Sequence, residues 1–350
     1  MDSSDSGILF FTGILLVVLA TLLLQGGTFQ RGFSVIKTHL DGNGDYIPYF
    51  ERFQGTAGVA GAAGVAGITD TFSLKPKLWW IADDQTNARK WWDFGARNSR
   101  KPNRGYLELA LDCVYATQGR DFDVQPLFGR EDVMQLVRAA GGSVPEGVEN
   151  MPVALWRQWA TAALLATRGG LVLVGDSTLC IGPSFGSFTT SSQEAVFGIY
   201  PDGPRAVPGS ETGPAPWAGW AAKPHSPGWD AAFATLNLLA QAGPTSWSAA
   251  EARRTNLYIW DLQSAKGIKF FQEADGGRLE DGHERTIADL LGRSTNPPPI
   301  RPGVVYIPMD GDRLVRSAEY GWFVRMSTKQ ILDSEFVWAQ LAKKVKIGTF

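Results

Sequence analysis

The stretch NMPVALWRQWATAALLATRGGLVLVGDSTLCIGPSF, residues 150–185, decides the fold. Pro152 is typical of a helix start, and Arg168 followed by Gly169–Gly170 is typical of a helix end. Cations complement the last carbonyls of a helix, and glycine adopts the left-handed conformation of the cap. We therefore expect a buried helix over about residues 152–167.

The segment after the double glycine is predicted to be a strand that ends at a carboxylate. Leu171–Val174 is a continuous apolar run, too short for a helix and typical of a strand covered on both faces. Asp176 follows directly after its carboxyl end. Ligands of open α/β sheets bind at that edge. Asp176 is therefore the first candidate for a functional residue.

The segments before this stretch alternate between strand and helix. Strands are predicted at 78–82 and 121–129, and helices at about 104–116 and 130–142. This alternation predicts an α/β domain with a mostly parallel sheet and helices on its faces. Further on, we expect a helix at 248–264, strands at 303–312 and 319–326, and a last amphipathic helix that begins at a capping box of Ser327 and Gln330.

A connection rich in Gly, Pro and Ser is predicted at residues 186–228. Connections of this length usually cover a site or are ordered by one. Trp217, Trp220 and Trp229 lie near its end, together with His225. The tryptophans either stack on a sugar or base, or anchor the loop to the core, and we favour the second interpretation. His225 is likewise interpreted as structural.

Composition excludes disorder and a nucleic-acid partner. With 350 residues, 44% of them apolar and 19% charged, the chain can bury a full core. Its formal net charge of −2 lacks the basic excess that nucleic-acid binding requires. The two cysteines form neither a metal-ligand pattern nor a disulfide framework. We expect one large globular domain with appendages.

An uncharged apolar segment near the amino terminus predicts a membrane anchor. Residues 7–25 follow a tail, residues 1–6, that lacks the basic start of a signal peptide. The segment fits a hydrocarbon core of about 30 Å. Arg31 and Lys37 lie on its C-terminal side, so the positive-inside rule predicts a single-pass anchor with the C-terminal domain in the cytosol.

Residues 26–70 are predicted to be a juxtamembrane segment and tether. Glycine recurs at every third position from Gly55 to Gly67, with small apolar residues between. A collagen helix would have the same period, but proline is missing and the repeat is short, which favours a flexible or extended tether. The α/β domain then occupies residues 71–350.

Several segments, taken in order, resemble a family of sugar transferases. They are KPKLWW (75–80), KPNRGYLELALDCV (101–114), DFDVQPLFGREDV (121–133), ALWRQWATAALLATRGGLVLVGDSTLCIGPSF (154–185) and APWAGWAAKPHSPGW (215–229). The resemblance is to capsular polysaccharide synthesis proteins and related glycosyltransferases with a D-x-D motif, and it covers about residues 75–230. It implies a GT-A fold, which is an α/β domain that binds a nucleotide-diphosphate sugar and transfers the sugar to a glycan acceptor.

The chain departs from the pattern of this family at named positions. Counted from the double glycine, the first aspartate of the D-x-D motif falls on Val174 and the second on Asp176. The aspartate and the arginine of the preceding family helix fall on Gln158 and Thr161. Diphosphate charge is normally bridged by Mg²⁺ or Mn²⁺, which bind carboxylate oxygens. The motif of this chain therefore retains one metal ligand.

Roles in this site are assigned as follows. The resemblance makes Asp176 the catalytic residue and a ligand of Mn²⁺ or Mg²⁺, and donor binding is assigned to Gly169, Gly170, Trp80 and Arg157. Asp310 and Asp312 supply further metal oxygens if the C-terminal strands fold back beside Asp176. In the alternative, Arg157 and Arg168 replace the metal as phosphate-binding cations.

Two hypotheses of different classes remain. The first is a membrane-anchored glycosyltransferase with a nucleotide-sugar donor and an eroded D-x-D motif. The second is a transferase-fold membrane protein without catalysis, which binds protein assembly partners; a component of the membrane of a large DNA virus particle is one version of it.

Overall fold

The computed structural model describes residues 75–83, 105–198, 217–247, 268–280, 282–283, 285–294 and 299–347. The first half contains, in chain order, β1 (Lys77–Ala82), α1 (Gly105–Gln118), β2 (Asp123–Phe128), α2 (Arg130–Ala139), α3 (Val153–Arg168) and β3 (Gly170–Val174). The second half contains β4 (Thr178–Cys180), α4 (Gly186–Thr189), β5 (Glu194–Phe197), β6 (Ala218–Ala221), α5 (Pro227–Ala242), β7 (Lys269–Phe271), α6 (Ile287–Leu291), β8 (Tyr306–Pro308), α7 (Gly311–Arg316), α8 (Thr328–Leu332) and α9 (Val337–Ile347).

The domain is built on a six-stranded mixed sheet with the order β2-β1-β3-β6-β5-β7. β1 pairs in parallel with β2 and β3, and β5 pairs in parallel with β7. β6 runs antiparallel to both of its neighbours, β3 and β5. The prediction of an α/β domain with a mostly parallel sheet is therefore confirmed, with one reversed strand inside the sheet.

The stretch at residues 150–185 has the predicted structure. α3 spans Val153–Arg168 and β3 spans Gly170–Val174, each within one residue of the expected bounds. Every residue of α3 from Leu155 to Ala166 is buried, because the helix lies between the sheet and two other helices, α2 and α5. A helix that is covered on all sides tolerates apolar residues on every face.

The opposite face of the sheet is covered by α1. This helix contacts β2 and β4, and it also packs against α8 and α9 near the carboxyl terminus. Glu108 in its first half accepts a hydrogen bond from the Thr328 hydroxyl, at 2.5 Å. The C-terminal helices therefore pack on the side of the sheet that α3 does not occupy.

Of the connection predicted at residues 186–228, the structure describes 186–198 and 217–228, and these parts contribute two strands to the sheet. They contain the short helix α4 and the strands β5 and β6. β6 has the sequence Ala-Gly-Trp-Ala, which lacks the β-branched residues that indicate a strand. Trp220 and Trp229 are buried, and the Trp229 indole donates to the Trp220 carbonyl at 2.8 Å, so these tryptophans pack in the core as expected.

Two predictions for the C-terminal region are wrong. Residues 319–326 form turns and a 3₁₀ helix, Phe323–Arg325, and no strand. Phe323 is fully buried against the Tyr106 and Trp338 rings, which stabilises the turn. The last helix is interrupted at residues 333–336 and forms two elements, α8 and α9.

The predicted anchor at residues 7–25, the tether at 26–70 and the helix at 248–264 lie outside the described residues. Among the helices of the described ranges, none combines the length and the apolar character needed to cross a membrane.

Candidate functional site

The order of the strands places the switch point of the sheet between the carboxyl ends of β1 and β3. From β1 the chain crosses to β2 on one side, and from β2 it returns past β1 to β3 on the other side. Right-handed crossovers in opposite directions put α1 and the α2–α3 pair on opposite faces. β1 and β3 therefore flank the switch point of the sheet, and this is the position at which open α/β sheets bind ligands.

Two buried carboxylates meet at this switch point. Asp83 follows the end of β1, and Asp176 lies in the 3₁₀ turn Gly175–Ser177 after β3. Their exposed fractions are 2% and 5%. The Asp83 amide donates to Asp176 Oδ2 at 3.3 Å, so the two strand ends are joined directly. Buried carboxylates are expensive unless they are paired with cations or donors.

Arg130 at the start of α2 neutralises Asp83. Its Nη2 lies 3.0 Å from Asp83 Oδ2, and both side chains are buried. Nη1 donates to the carbonyls of Glu149 and Met151 at 2.9 and 2.6 Å, and the guanidinium lies 5.2 Å from the centre of the Trp156 ring. Arg130 therefore links the ends of β1 and α2 to the segment that leads into α3.

Arg157 of α3 lies between Asp176 and Asp310. Its Nη2 donates to Asp176 Oδ2 at 2.9 Å, and its Nη1 lies 3.6 Å from Asp310 Oδ1. Arg157 and Asp176 are almost inaccessible, whereas the side chain of Asp310 is 42% exposed. The buried cluster therefore reaches solvent on the side of Asp310.

Pairing between β4 and β8 brings Asp310 to this position. Thr178 lies opposite Pro308 in the antiparallel pair, so the residues before β4 and after β8 lie side by side. The Met309 amide donates to the Ser177 carbonyl at 2.8 Å, and the Gly311 amide donates to Ser177 Oγ at 3.0 Å. A Cβ atom on Gly311 would lie 2.2 Å from the Asp176 carbonyl oxygen, so only glycine permits this approach.

Tyr306 anchors β8, the strand that leads to Asp310. Its hydroxyl lies 3.0 Å from both the Phe197 carbonyl and Asp275 Oδ2. Burial and the neighbouring Asp275 carboxylate raise the pKa of Tyr306 well above its ordinary value, so it stays a neutral donor. β8 is therefore anchored to β5 of the main sheet as well as to β4.

Trp80 lies directly beneath the end of the sheet that carries the two carboxylates, against Gly175. Its side chain is fully buried, and a Cβ atom on Gly175 would lie 1.9 Å from its ring, so the ring lies directly under the turn that carries Asp176. Within the part of the chain that the structure describes, Nε1 of Trp80 and Nε1 of Trp156 are buried without a hydrogen-bond partner. Trp80, predicted to bind the donor, thus lies at the site but beneath its surface.

The structure separates three of the predicted residues from Asp176. Gly169 and Gly170 form the turn at the amino end of β3, whereas Asp176 lies beyond its carboxyl end. The positive φ angles of both glycines and the hydrogen bond from Trp79 Nε1 to the Gly169 carbonyl, at 2.8 Å, account for them without a ligand. Arg168 lies at the same end and donates to the Leu136 carbonyl.

The side chains at the site do not fit a divalent cation as they are arranged. Such an ion needs oxygens at about 2.0–2.6 Å, but the Arg157 guanidinium already lies between Asp176 and Asp310. Asp176 Oδ1 also accepts a hydrogen bond from Ser177 Oγ at 3.0 Å. Within the described residues, no group of three or more His, Cys, Asp or Glu side chains is placed to hold a metal. Asp312 lies in α7, one residue beyond Gly311.

Sequence reasoning missed Asp83 and Arg130 as members of the site. The predicted strand at 78–82 ends next to Asp83 and the predicted helix at 130–142 begins with Arg130, but no local motif assigns either residue to the site. Asp83 directly follows β1, which flanks the switch point, and Arg130 begins the helix after β2, the other neighbour of β1. The predicted strand-helix alternation places both residues just beyond the carboxyl ends of adjacent parallel strands.

Comparison with known protein families, with characterised proteins and with solved structures finds no match, so the resemblance to sugar transferases depends on the residues of this chain alone.

Proposed function

We propose that the domain binds a nucleotide-diphosphate sugar in the crevice between β1 and β3, and that the chain is a membrane-anchored glycosyltransferase-like protein with a GT-A fold. One observation carries the proposal. At the switch point of the sheet, two buried carboxylates, Asp83 and Asp176, are each paired with a buried arginine. Charged groups that are desolvated at a ligand-binding edge are candidates for function.

Each charged group has a role in this proposal. Arg157 binds the diphosphate, because a guanidinium can donate two parallel hydrogen bonds to phosphate oxygens. Asp176 orients Arg157 through the hydrogen bond at 2.9 Å. The pair Arg130–Asp83 holds the ends of β1 and α2 together and so fixes the wall of the crevice.

Transfer of a sugar would place new charge next to Arg157. The bond between the anomeric carbon and the diphosphate oxygen breaks, and its electron pair goes to the diphosphate. The acceptor hydroxyl oxygen bonds to the anomeric carbon and releases its proton to solvent water. A guanidinium already fixed by Asp176 stabilises the charge of the departing diphosphate without reorganisation.

A second candidate function is a binding or structural domain without catalysis. The observation that favours it is the saturation of Asp176, whose two carboxylate oxygens accept hydrogen bonds from Asp83, Arg157 and Ser177. These donors give the carboxylate a structural role that needs no ligand. The predicted D-x-D position Val174 is also a buried apolar residue of β3.

Nucleotide titration of the purified full-length chain in detergent tests the proposal. We expect UDP or GDP to bind, and Arg157→Gln to weaken the binding by at least about tenfold, because the diphosphate then loses the guanidinium that binds it. Arg138→Gln, the same change at an exposed arginine of α2, is the matched control and should leave affinity unchanged. Thermal melting of each variant verifies that it is folded. If neither nucleotide binds the wild-type chain, with or without Mn²⁺, the proposal is wrong and the second candidate stands.

A further inference from the structure

Two arginines in the C-terminal half of the chain are bound to one short turn. Arg285 Nε donates to the Gly276 carbonyl at 3.1 Å. Arg301 Nη2 donates to the carbonyl of the preceding residue, Asp275, at 3.3 Å. Because these two carbonyls belong to adjacent residues, two positive charges that are 16 positions apart in the sequence are brought to the same place.

The backbone holds both arginine-bearing segments against this turn. The Arg285 amide donates to the Gly277 carbonyl at 2.7 Å. On the other side, the Val305 amide, four residues after Arg301, donates to the Ala274 carbonyl at 2.8 Å. The position of the two side chains is therefore set by main-chain hydrogen bonds on both sides of the turn.

The nearest carboxylates are engaged elsewhere. Asp275 Oδ1 accepts from a backbone amide two residues on, at 2.7 Å, and its Oδ2 accepts from the Tyr306 hydroxyl at 3.0 Å. Asp289 Oδ2 accepts from the amide and the hydroxyl of Thr286, at 2.7 and 2.8 Å. Among the ion pairs of the described ranges, none includes either of the two arginines.

Arg285 has a donor that the described part of the chain does not satisfy. Its Nη1 is buried and has no hydrogen-bond partner there. A buried donor without an acceptor has lost its hydrogen bonds to water and gained none in exchange. Burial lowers the pKa of Arg285; the Asp289 carboxylate opposes this shift, and the positive charge of Arg301 adds to it. An acceptor that carries negative charge would relieve both costs.

The two guanidinium groups can be reached from solvent. The Arg285 side chain as a whole is half-buried, and Arg301 is exposed. A guanidinium presents its donors in a planar fork that matches the oxygens of a phosphate group. A phosphate group carries a charge between about −1.5 and −2 at pH 7, which balances two guanidinium charges, whereas a carboxylate balances one.

We propose that Arg285 and Arg301 form a phosphate-binding site, in which phosphate oxygens accept hydrogen bonds from Arg285 Nη1 and from the Arg301 guanidinium. The ligand is either free phosphate or the phosphomonoester of a larger molecule, since both present the same oxygens. The site shares no residue with the cluster of Arg157 and Asp176, and it does not depend on the function proposed above.

Titration calorimetry of the full-length chain in detergent, with inorganic phosphate and with glycerol 1-phosphate, tests the inference. We expect Arg285→Gln and Arg301→Gln each to weaken binding by at least about tenfold, because each removes one positive charge next to the anion. Arg138→Gln, at an exposed arginine of α2, is the matched control and should leave affinity unchanged. Tighter binding of glycerol 1-phosphate identifies the ligand as a phosphomonoester, and tighter binding of inorganic phosphate identifies it as the free ion.

A second measurement locates the bound phosphate, which Arg157 could also attract. Phenylglyoxal modifies accessible guanidinium groups, and mass spectrometry identifies the modified residues. Phosphate should protect Arg285 and Arg301 from modification and leave Arg138 unprotected.

Two results would overturn the inference. The first is a wild-type chain that does not bind phosphate. The second is phosphate binding that neither glutamine variant weakens, with protection confined to other arginines. Neither result bears on nucleotide binding at Arg157, which its own titration decides. Because Arg301 is exposed, Arg301→Gln is expected to fold even if Arg285→Gln does not.

Discussion

Arg130 and Arg138 show that the contribution of an ion pair to stability depends on its burial. Both lie on α2 and both pair with a carboxylate, Asp83 in one case and Glu131 in the other. The first pair is buried, whereas the side chains of the second are 52% and 58% exposed. Removal of one member from a buried pair leaves an uncompensated charge in a medium of low dielectric constant, and removal from an exposed pair does not.

The variants Arg130→Met and Arg138→Met should therefore differ strongly in stability. We expect Arg130→Met to lower the free energy of unfolding by about 3–5 kcal/mol, because Asp83 and two backbone carbonyls lose their donor. Arg138→Met should cost less than about 1 kcal/mol. Urea unfolding followed by circular dichroism measures both values. Equal losses in the two variants would show that the Arg130–Asp83 pair has no special role.

At the scale of elements, the helices and the strand that helix caps and an apolar run predict occur in the structure at the predicted positions. The helix cap at Gly169–Gly170 and the apolar run Leu171–Val174 predicted α3 and β3 to within one residue. Ser327 and Gln330 predicted a capping box, and the structure contains both of its hydrogen bonds. Such signals depend on neighbouring residues alone, so they can be recognised without the tertiary structure.

The same capping box supplies a prediction. Ser327 Oγ accepts from the Gln330 amide at 3.2 Å, and the Ser327 amide donates to Gln330 Oε1 at 2.8 Å. Ser327→Ala should destabilise the protein by about 1 kcal/mol, because the first turn of α8 loses a side-chain acceptor. Ser327→Asp, which keeps an acceptor, should retain wild-type stability. Chemical denaturation of the two variants tests this, and a loss in the aspartate variant as large as that in the alanine variant would speak against a capping role.

Elements that depend on long-range pairing were the ones that the sequence did not reveal. β6 has a strand conformation because β3 and β5 lie on either side of it, although Ala-Gly-Trp-Ala has little intrinsic preference for a strand. The sequence of residues 319–326 is typical of a strand, but Phe323 packs in the core against Tyr106 and Trp338, and the segment forms a turn. The site is divided in the same way: Asp176 was predicted from its own stretch, whereas Asp83, Arg130 and the contact with Asp310 depend on how the strands are ordered.

At the scale of the whole molecule, the two cysteines lie where α1 packs against β4, and their protonation depends on whether this packing is intact. Cys113 lies on α1 and Cys180 on β4, and both are completely buried. Burial raises the pKa of the Cys180 thiol from 9.0 to about 12. Burial also raises the pKa of Cys113, helped by the Asp112 carboxylate. Neither thiol is expected to be a nucleophile in the native state.

The free energy of unfolding should therefore fall in alkaline solution, and Cys180 should account for part of that fall. The folded state holds the proton between pH 9 and 12, where the unfolded state releases it, so this contribution is fully present below pH 9 and is lost as the pH rises toward 12. Between pH 8 and 10 the loss from this thiol should be about 1 kcal/mol. Urea midpoints at both pH values, compared with those of Cys180→Ala, measure it. An identical pH dependence in the variant would contradict the prediction.

β4 pairs with β8, although the two strands are far apart in the sequence and are therefore synthesised at different times. A nascent chain folds from its amino terminus, so β1, β3, Arg130 and Arg157 emerge long before Tyr306–Pro308. Until then, the edge of β4 is unpaired and Arg157 lacks its second carboxylate. The site is thus completed only after Tyr306–Pro308 have emerged, and a chain that stops before β8 would expose both the unpaired edge of β4 and the Arg157 guanidinium.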